Sequence, residues 1–182
     1  EGTIHFVSEP GKGTRFTLVI PFLPDDSIEM QTEQTQSAGA VQGIENDKIL
    51  LVEDYEINME IARFVLENEG AQVQEAWNGK EAVDLFAASE PGGYDVILMD
   101  LMMPVMGGLE AAQCIRKLER EDAKTVPIIA MTANAFADDE ERSLAAGMDA
   151  HISKPLDAEK LIQVISDICK KRKEHAKGDA DI

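Results

Sequence analysis

The chain has 182 residues, with 35 Asp and Glu against 17 Lys and Arg, a formal net charge of −18, and 44% hydrophobic residues. The length predicts one domain with appendages, and the apolar content is too high for a chain disordered throughout. The acidity argues against nucleic acid and anionic membrane surfaces as partners, because both demand clustered Lys and Arg. No apolar run reaches the roughly 18 residues of a membrane span. Two cysteines, Cys114 and Cys169, form neither a disulfide framework nor a zinc pattern, which points to a reducing, cytoplasmic setting. The chain opens at Glu1 in mid-pattern, without a Met or a signal peptide. We expect a fragment of a longer protein, whose parent could be anchored in a membrane.

Residues 1–24 balance two acids with two bases. Thr3 to Val7 and Arg15 to Ile20 predict two strands, joined by the turn-rich Ser8-Glu9-Pro10-Gly11-Lys12-Gly13-Thr14. A lone hairpin is marginal in water, so its partners are expected elsewhere. Residues 25–47 carry six acids and no base. Rich in Gln, Thr, Ser, Gly and Ala, they predict a flexible acidic linker.

From Lys48 short apolar runs alternate with helical periods. Ile49-Leu50-Leu51-Val52 predicts a buried strand ending in Glu53-Asp54. Ile57, Ile61, Phe64 and Val65 mark a first helix closed by Gly70. Residues 71–76 form a weaker strand near the sheet edge. Asn78 caps a helix carrying Ala82, Leu85 and Phe86. Val96-Ile97-Leu98-Met99 ends in Asp100, and Leu109, Ala112 and Ile115 mark the third helix. Residues 126–131 form a fourth strand ending in Thr132, followed by a helix on Leu144, Ala145 and Met148, capped by Gly147. Residues 150–153 form the fifth strand, ending in Lys154-Pro155. Leu161, Val164, Ile165 and Ile168 share one face of the last helix. The tail 171–182 is expected to fray, with its Lys and Arg serving as favourable charges at a helix C-terminus.

Five strands alternating with five helices predict an α/β fold, a doubly wound five-stranded parallel sheet covered on both faces. Chemistry in such a sheet sits beyond the strand C-termini. Those ends carry Glu53, Asp54, Asp100, Thr132 and Lys154. If the first and third strands adjoin, three carboxylates meet, and two of them about 4 Å apart repel by roughly 4 kcal/mol at an effective dielectric near 20. Either some are protonated or a cation joins them, and an oxygen-only site suits Mg²⁺. Asp54 could equally cap the first helix, and Thr132 could be a plain loop hydroxyl.

The segments ILLVEDYEINMEIA, DVILMDLMMPVMGG, IIAMTANA and GMDAHISKPL make residues 48–170 resemble a response regulator receiver domain. The resemblance implies the flavodoxin-like strand order 2-1-3-4-5. It makes Asp100 the phosphoacceptor, with Asp54 and Glu53 (the latter mainly through water) and the carbonyl of Met102 completing a Mg²⁺ site. Thr132 would hydrogen-bond the phosphoryl group, Lys154 would pair with it, and Ala133 would leave its approach open. His151 occupies the place of a switch aromatic, and Met102 and Asn134 stand where the family tunes the lifetime of the phosphorylated state. The responsive surface would run roughly from Asn134 to Ile168 and could support a dimer.

The segment EGTIHFVSEPGKGTRFTLVIPF looks like the last hairpin of a histidine kinase ATPase domain, without that family's upstream nucleotide motifs. Together these imply a hybrid histidine kinase, with a phosphohistidine of a kinase or phosphotransfer domain as donor. His5, His151 and His175 lack the context of a phosphodonor box, and this segment would show only self-phosphorylation and self-dephosphorylation. Two other classes compete. A pseudo-receiver would act by interaction alone. An aspartyl phosphatase would need a second Asp where Met102 stands. Flavodoxin-like electron transfer lacks its phosphate loop.

Overall fold

A computed structural model describes residues 2–21, 43–133 and 137–178. The chain forms two units, divided near residue 38. In the first, β1 (Thr3–Glu9) and β2 (Gly13–Val19) pair antiparallel from Thr3 opposite Val19 to Glu9 opposite Gly13. Gly11 and Gly13 lie at φ +78 and +96, the left-handed region that a tight turn needs and that glycine enters freely. The Phe6 and Phe16 rings approach to 6.0 Å between centroids, yet both remain exposed.

The second unit is a parallel sheet. Its strands are β3 (Lys48–Val52), β4 (Gln72–Ala76), β5 (Val96–Asp100), β6 (Ile128–Thr132) and β7 (Ala150–Ser153), in the order β4-β3-β5-β6-β7. Renumbered within the sheet, this is 2-1-3-4-5, the expected order. The helices are α1 (Glu56–Asn68), α2 (Gly79–Ala88), α3 (Gly108–Arg116), the short α4 (Asp122–Thr125), α5 (Ala137–Ala145) and α6 (Ala158–Gly178). The four-residue α4 carries no periodicity that a sequence reading could detect.

Side-chain alternation splits the sheet into two apolar layers. Ile49, Leu51, Leu98, Ile129, Met131 and Ile152 pack with Met59, Leu66, Leu161 and Ile165 of α1 and α6. Leu50, Val52, Ile97, Met99, Ile128 and Ala130 pack with Phe86, Ala112 and Ile115 of α2 and α3. Strands buried on both faces explain the unbroken apolar runs. Asn78 caps α2 as expected: its Oδ1 accepts the Glu81 N–H at 3.0 Å, while Glu81 Oε2 accepts the Trp77 N–H at 2.8 Å.

Several sequence expectations are corrected here. On α1 the buried stripe is Met59, Ala62 and Leu66, and Ile57, Ile61 and Phe64 are exposed. The helix carries two apolar stripes, and periodicity does not say which meets the sheet. On the next-to-last segment Leu144 is exposed, while Ser143, Ala146 and Met148 are buried. The folded unit begins before Lys48, because Ile44 is fully buried in the α1 layer and Asp47 is also buried. At the other end α6 continues through residue 171 to Gly178. Arg172 donates to the Tyr94 and Asp95 carbonyls at 3.1 and 3.0 Å. The linker reading for residues 22–42, Asn134, and the last four residues lie outside the described residues.

Arg120 fastens the loop after α3 to the end of α2. Its guanidinium donates to the carbonyls of Phe86, Ser89 and Glu90 and to both oxygens of Asp122, and it lies 4.6 Å from the Phe86 ring centroid. The orphan carbonyls of a helix C-terminus thus find a cation. The hydrogen bond from Arg120 is the chief reason that the Asp122 carboxyl falls from 3.8 to about 2. Arg120→Ala should lower stability by about 2–3 kcal/mol, read from urea unfolding. The Asp122 contribution is present above its ordinary value of 3.8 and is lost as pH falls through about 2. The gap between variant and wild type should therefore narrow in strong acid to the part carried by the carbonyl bonds.

Candidate functional site

The C-terminal ends of β3, β5, β6 and β7 meet along one edge of the sheet, because parallel strands all point the same way. Register places Val52 beside Met99, Asp100 beside Met131, and Thr132 beside Ser153. The residues that follow β3 and β7 and end β5 and β6 therefore share a cleft. Glu53, Asp54 and Asp100 each offer a carboxylate oxygen there, all within 4.8 Å of one another. Glu53 and Asp100 are buried, and Asp54 is exposed.

Lys154 crosses the cleft. Its Nζ lies 2.5 Å from Glu53 Oε2 and 2.8 Å from Asp100 Oδ2. Burial is the largest influence on the ammonium and opposes its charge, but Asp100 and Glu53 together outweigh it and raise the Lys154 pKa. The peptide bond from Lys154 to Pro155 is cis. The other oxygen of each carboxylate is also held. Asp100 Oδ1 accepts the Met102 N–H at 3.2 Å, and Glu53 Oε1 accepts from Asn58 Nδ2 at 2.9 Å. No buried side-chain N or O lacks a partner among the described residues.

Asp54 does not cap α1: Tyr55 is the N-cap and no side chain bonds there. Asp100 does not cap α3 either, since Gly107 occupies that position. Both carboxylates are left for the cleft. Thr132 is buried at the end of β6, and its carbonyl accepts the Lys154 N–H at 2.7 Å. Ala133 lines a groove of about 460 Å³ with Asn58, Ile61, Lys154, Pro155 and Leu156. His151 is half-buried in the middle of β7, opposite Ala130, rather than at the cleft.

Close packing positions the end of β5 and the loop that follows it. A Cβ on Gly108 would lie 2.1 Å from the Asp100 carbonyl oxygen, and one on Gly79 2.7 Å from that of Met106. No side chain fits at either place, so α3 and the loop after β5 sit directly against Asp100.

Sequence reasoning missed Asn58. The available signal was an amide one turn into a helix that begins beside Glu53. The Met102 contact shown is its N–H to Asp100, whereas the expected role used its carbonyl. The donor set of three carboxylates is oxygen-only and suits a hard cation such as Mg²⁺, which takes oxygen ligands at about 2.0–2.1 Å. The spread of 4.8 Å is compatible with such a cation after a small side-chain adjustment.

Residues 49–166 match the response regulator receiver domain family. The chain is 38% identical over 167 residues to the aerobic respiration control sensor protein ArcB of Escherichia coli, a match covering 90% of this chain and 20% of that protein. It is 38% identical over 126 residues to hybrid signal transduction histidine kinase I of Dictyostelium discoideum, covering 68% of this chain and 7% of that one. The chain thus spans a fifth or less of the length of these curated relatives. Among solved structures, the receiver domain of sensor histidine kinase PA1611 from Pseudomonas aeruginosa aligns with a TM-score of 0.62 and 35% identity. That match covers 69% of this chain and 98% of that one, and that structure has a magnesium ion coordinated in its active site cleft. No described helix is long and apolar enough to cross a membrane.

Proposed function

The chain belongs to the response regulator receiver domain family, and on that footing we propose that it accepts a phosphoryl group on Asp100 from a phosphohistidine and passes it on or hydrolyses it. The observation that carries this reading is the state of the Asp100 carboxylate. One oxygen faces Lys154 at 2.8 Å and the other a backbone N–H at 3.2 Å, with Glu53 and Asp54 beside it. A nucleophilic carboxylate held between a cation and a backbone N–H suits phosphoryl transfer, which depends chiefly on positioning and charge neutralisation. In the step, an Asp100 oxygen forms the O–P bond while the P–N bond to the donor imidazole breaks. The imidazole leaves with that electron pair and takes a proton from solvent.

Asp54, Asp100, the Met102 carbonyl and, through water, Glu53 would hold Mg²⁺. When bound, Mg²⁺ neutralises charge on the phosphoryl oxygens. Lys154 pairs with the transferred group, and the Thr132 hydroxyl hydrogen-bonds it. A hydroxyl drawn inward there would shift the surface from α5 to α6, including His151 on β7. The exposed Ile57, Ile61 and Phe64 of α1, of which Ile61 lines the groove with Lys154, favour a protein as the donor.

The wider setting we infer is a cytoplasmic segment of a hybrid histidine kinase. Residues 1–24 would close its ATPase domain, and a linker would lead to the receiver. A match to the Escherichia coli sensor over 90% of the chain cannot be confined to the residues from Lys48 onward, which supports that order. Incubation with acetyl phosphate and Mg²⁺ should place one acid-stable, base-labile phosphate on the chain, and chelation should abolish it. Equal labelling in excess chelator would overturn the metal role. No labelling under any condition would favour a pseudo-receiver.

A further inference from the structure

Asn58 brings a neutral amide into a cleft of charged groups. Its Nδ2 donates to Glu53 Oε1 at 2.9 Å, while Glu53 Oε2 accepts from Lys154 Nζ at 2.5 Å. Both oxygens of this carboxylate, 2% exposed, are therefore engaged. Lys154 in turn lies 2.8 Å from Asp100 Oδ2. Asn58, Glu53, Lys154 and Asp100 thus form one hydrogen-bonded chain that ends on the acceptor carboxylate.

Helix formation does not call for an asparagine here. Asparagine is a weaker helix former than leucine, and Asn58 is half-buried in a groove that it shares with Ile61, Pro155 and Leu156. Leucine has nearly the same size and would suit both the helix and those neighbours. Asn58 is the third residue of α1, counted from Glu56, a position whose side chain in many helices reaches back to the helix start. Here the amide goes to Glu53 instead.

The consequence is electrostatic. Glu53 and Asp100 share one ammonium, and Glu53 holds it at the shorter distance. On the phosphoacceptor reading, that ammonium must also serve the incoming phosphoryl oxygens. An N–H on Oε1 stabilises part of the Glu53 charge and leaves less of it to act on Lys154 through Oε2. Without that donor, a buried carboxylate oxygen is left uncompensated. Glu53 then attracts nearby cations more strongly, Lys154 and a metal ion alike, and the ammonium is less free to follow the phosphoryl group.

We propose that Asn58 is a positioning residue: by bonding Glu53 it moderates the grip of that carboxylate on Lys154 and keeps the ammonium available to Asp100 and the phosphoryl group. This rests on the phosphoacceptor reading above and adds a residue that acts through Glu53 without touching the reacting atoms. The same bond sets the affinity of the cleft for Mg²⁺, with the opposite sign. Losing the amide strengthens the pull on the metal ion and slows the transfer. A residue that merely held the cleft in shape would, when lost, weaken both.

The test compares Asn58→Leu and Asn58→Gln with the unmodified full chain in two measurements. Calorimetry reads Mg²⁺ binding with no phosphodonor present, and acetyl phosphate at saturating Mg²⁺ reads the labelling rate. In that labelling an Asp100 oxygen forms the O–P bond as the P–O bond to the acetyl group breaks, and acetate leaves with the electron pair. Asn58→Leu should bind Mg²⁺ about threefold more tightly and label about tenfold more slowly. Asn58→Gln, which keeps the amide, should stay close to the unmodified chain in both. If the leucine variant fails to fold, Asn58→Ala removes the same donor without adding bulk and should give the same two shifts. Weaker Mg²⁺ binding together with slower labelling would overturn the proposal, as would no change in either. An unmodified chain that binds Mg²⁺ but takes no phosphate would instead remove the phosphoacceptor reading. The Mg²⁺ measurement would then decide the role of Asn58 by itself, with tighter binding in the leucine variant supporting its hold on Glu53 and equal or weaker binding overturning it.

Discussion

Asp100→Asn should abolish phosphate incorporation from acetyl phosphate, a loss of roughly 10³-fold or more, while leaving the fold in place. The amide keeps an oxygen in the same position but has no anionic oxygen to form the O–P bond. It also removes one negative charge from a cleft where Glu53 and Asp54 remain. Lys154 keeps Glu53 at 2.5 Å, so the ammonium stays partnered in the variant. Two opposing changes, less carboxylate repulsion and one lost ion pair, should leave the melting temperature within about 4 °C of the wild type, equivalent to roughly 1 kcal/mol. Mass spectrometry of the labelled chain and a thermal melt measure both quantities. Undiminished labelling in the variant would move the phosphoacceptor away from Asp100.

Lys154→Met should be the more damaging substitution for the fold. Methionine preserves length and apolar stem but leaves Glu53, 2% exposed, and Asp100, 8% exposed, without their shared cation. Breaking a buried pair by removing one partner costs about 3–5 kcal/mol. A melt in chelator should therefore fall by about 10 °C, taking 2–4 °C per kcal/mol for a chain of this size. Added Mg²⁺ should recover part of that loss in the variant, because a second cation can serve the same carboxylates. On the proposed reading it should not recover labelling fully, since the ammonium would also pair with the incoming phosphoryl oxygens. The pH dependence has a definite sign. The Lys154 pKa is raised in the folded state. Its stabilising contribution is therefore complete below the ordinary lysine value and is lost as pH rises through the raised value. At strongly alkaline pH the wild type and Lys154→Met should converge. A melting temperature unaffected by the substitution at neutral pH would show that water already neutralises the cleft.

Most of the site was legible because its residues stand at strand ends. Apolar runs stop at Glu53-Asp54, Asp100, Thr132 and Lys154, and a parallel sheet brings such ends together whatever the helices between them contain. The structure brings the three carboxylates and Lys154 into one cleft and places Thr132 at the neighbouring strand end. What the strand-end pattern could not reveal is the bonding inside the cleft. Asn58 on Glu53 and the Met102 N–H on Asp100 come from loop and helix geometry that leaves no periodic trace. The tightness around Gly108 belongs to the same class, because a glycine at a helix start reads equally as a cap or as a close approach.

The fold shows a similar division. Runs such as Val96 to Met99 are apolar on both faces, which determines a buried parallel strand from the sequence alone. The hydrophobic face of α1 is different. Ile57, Ile61 and Phe64 recur as regularly as Met59, Ala62 and Leu66, so either stripe could have met the sheet. Only the packed structure decides between them, burying the Met59 stripe and leaving the other exposed. The sequence by itself determined the sheet, its class and the charged groups at its C-terminal edge, because strand burial is a local, periodic property and the alternation of strands with helices implies parallel direction. Tertiary structure alone decided which face of α1 is free and that Ile44 and Arg172 belong to the folded unit. Each of these depends on contacts between segments far apart in the chain, where local pattern carries no information.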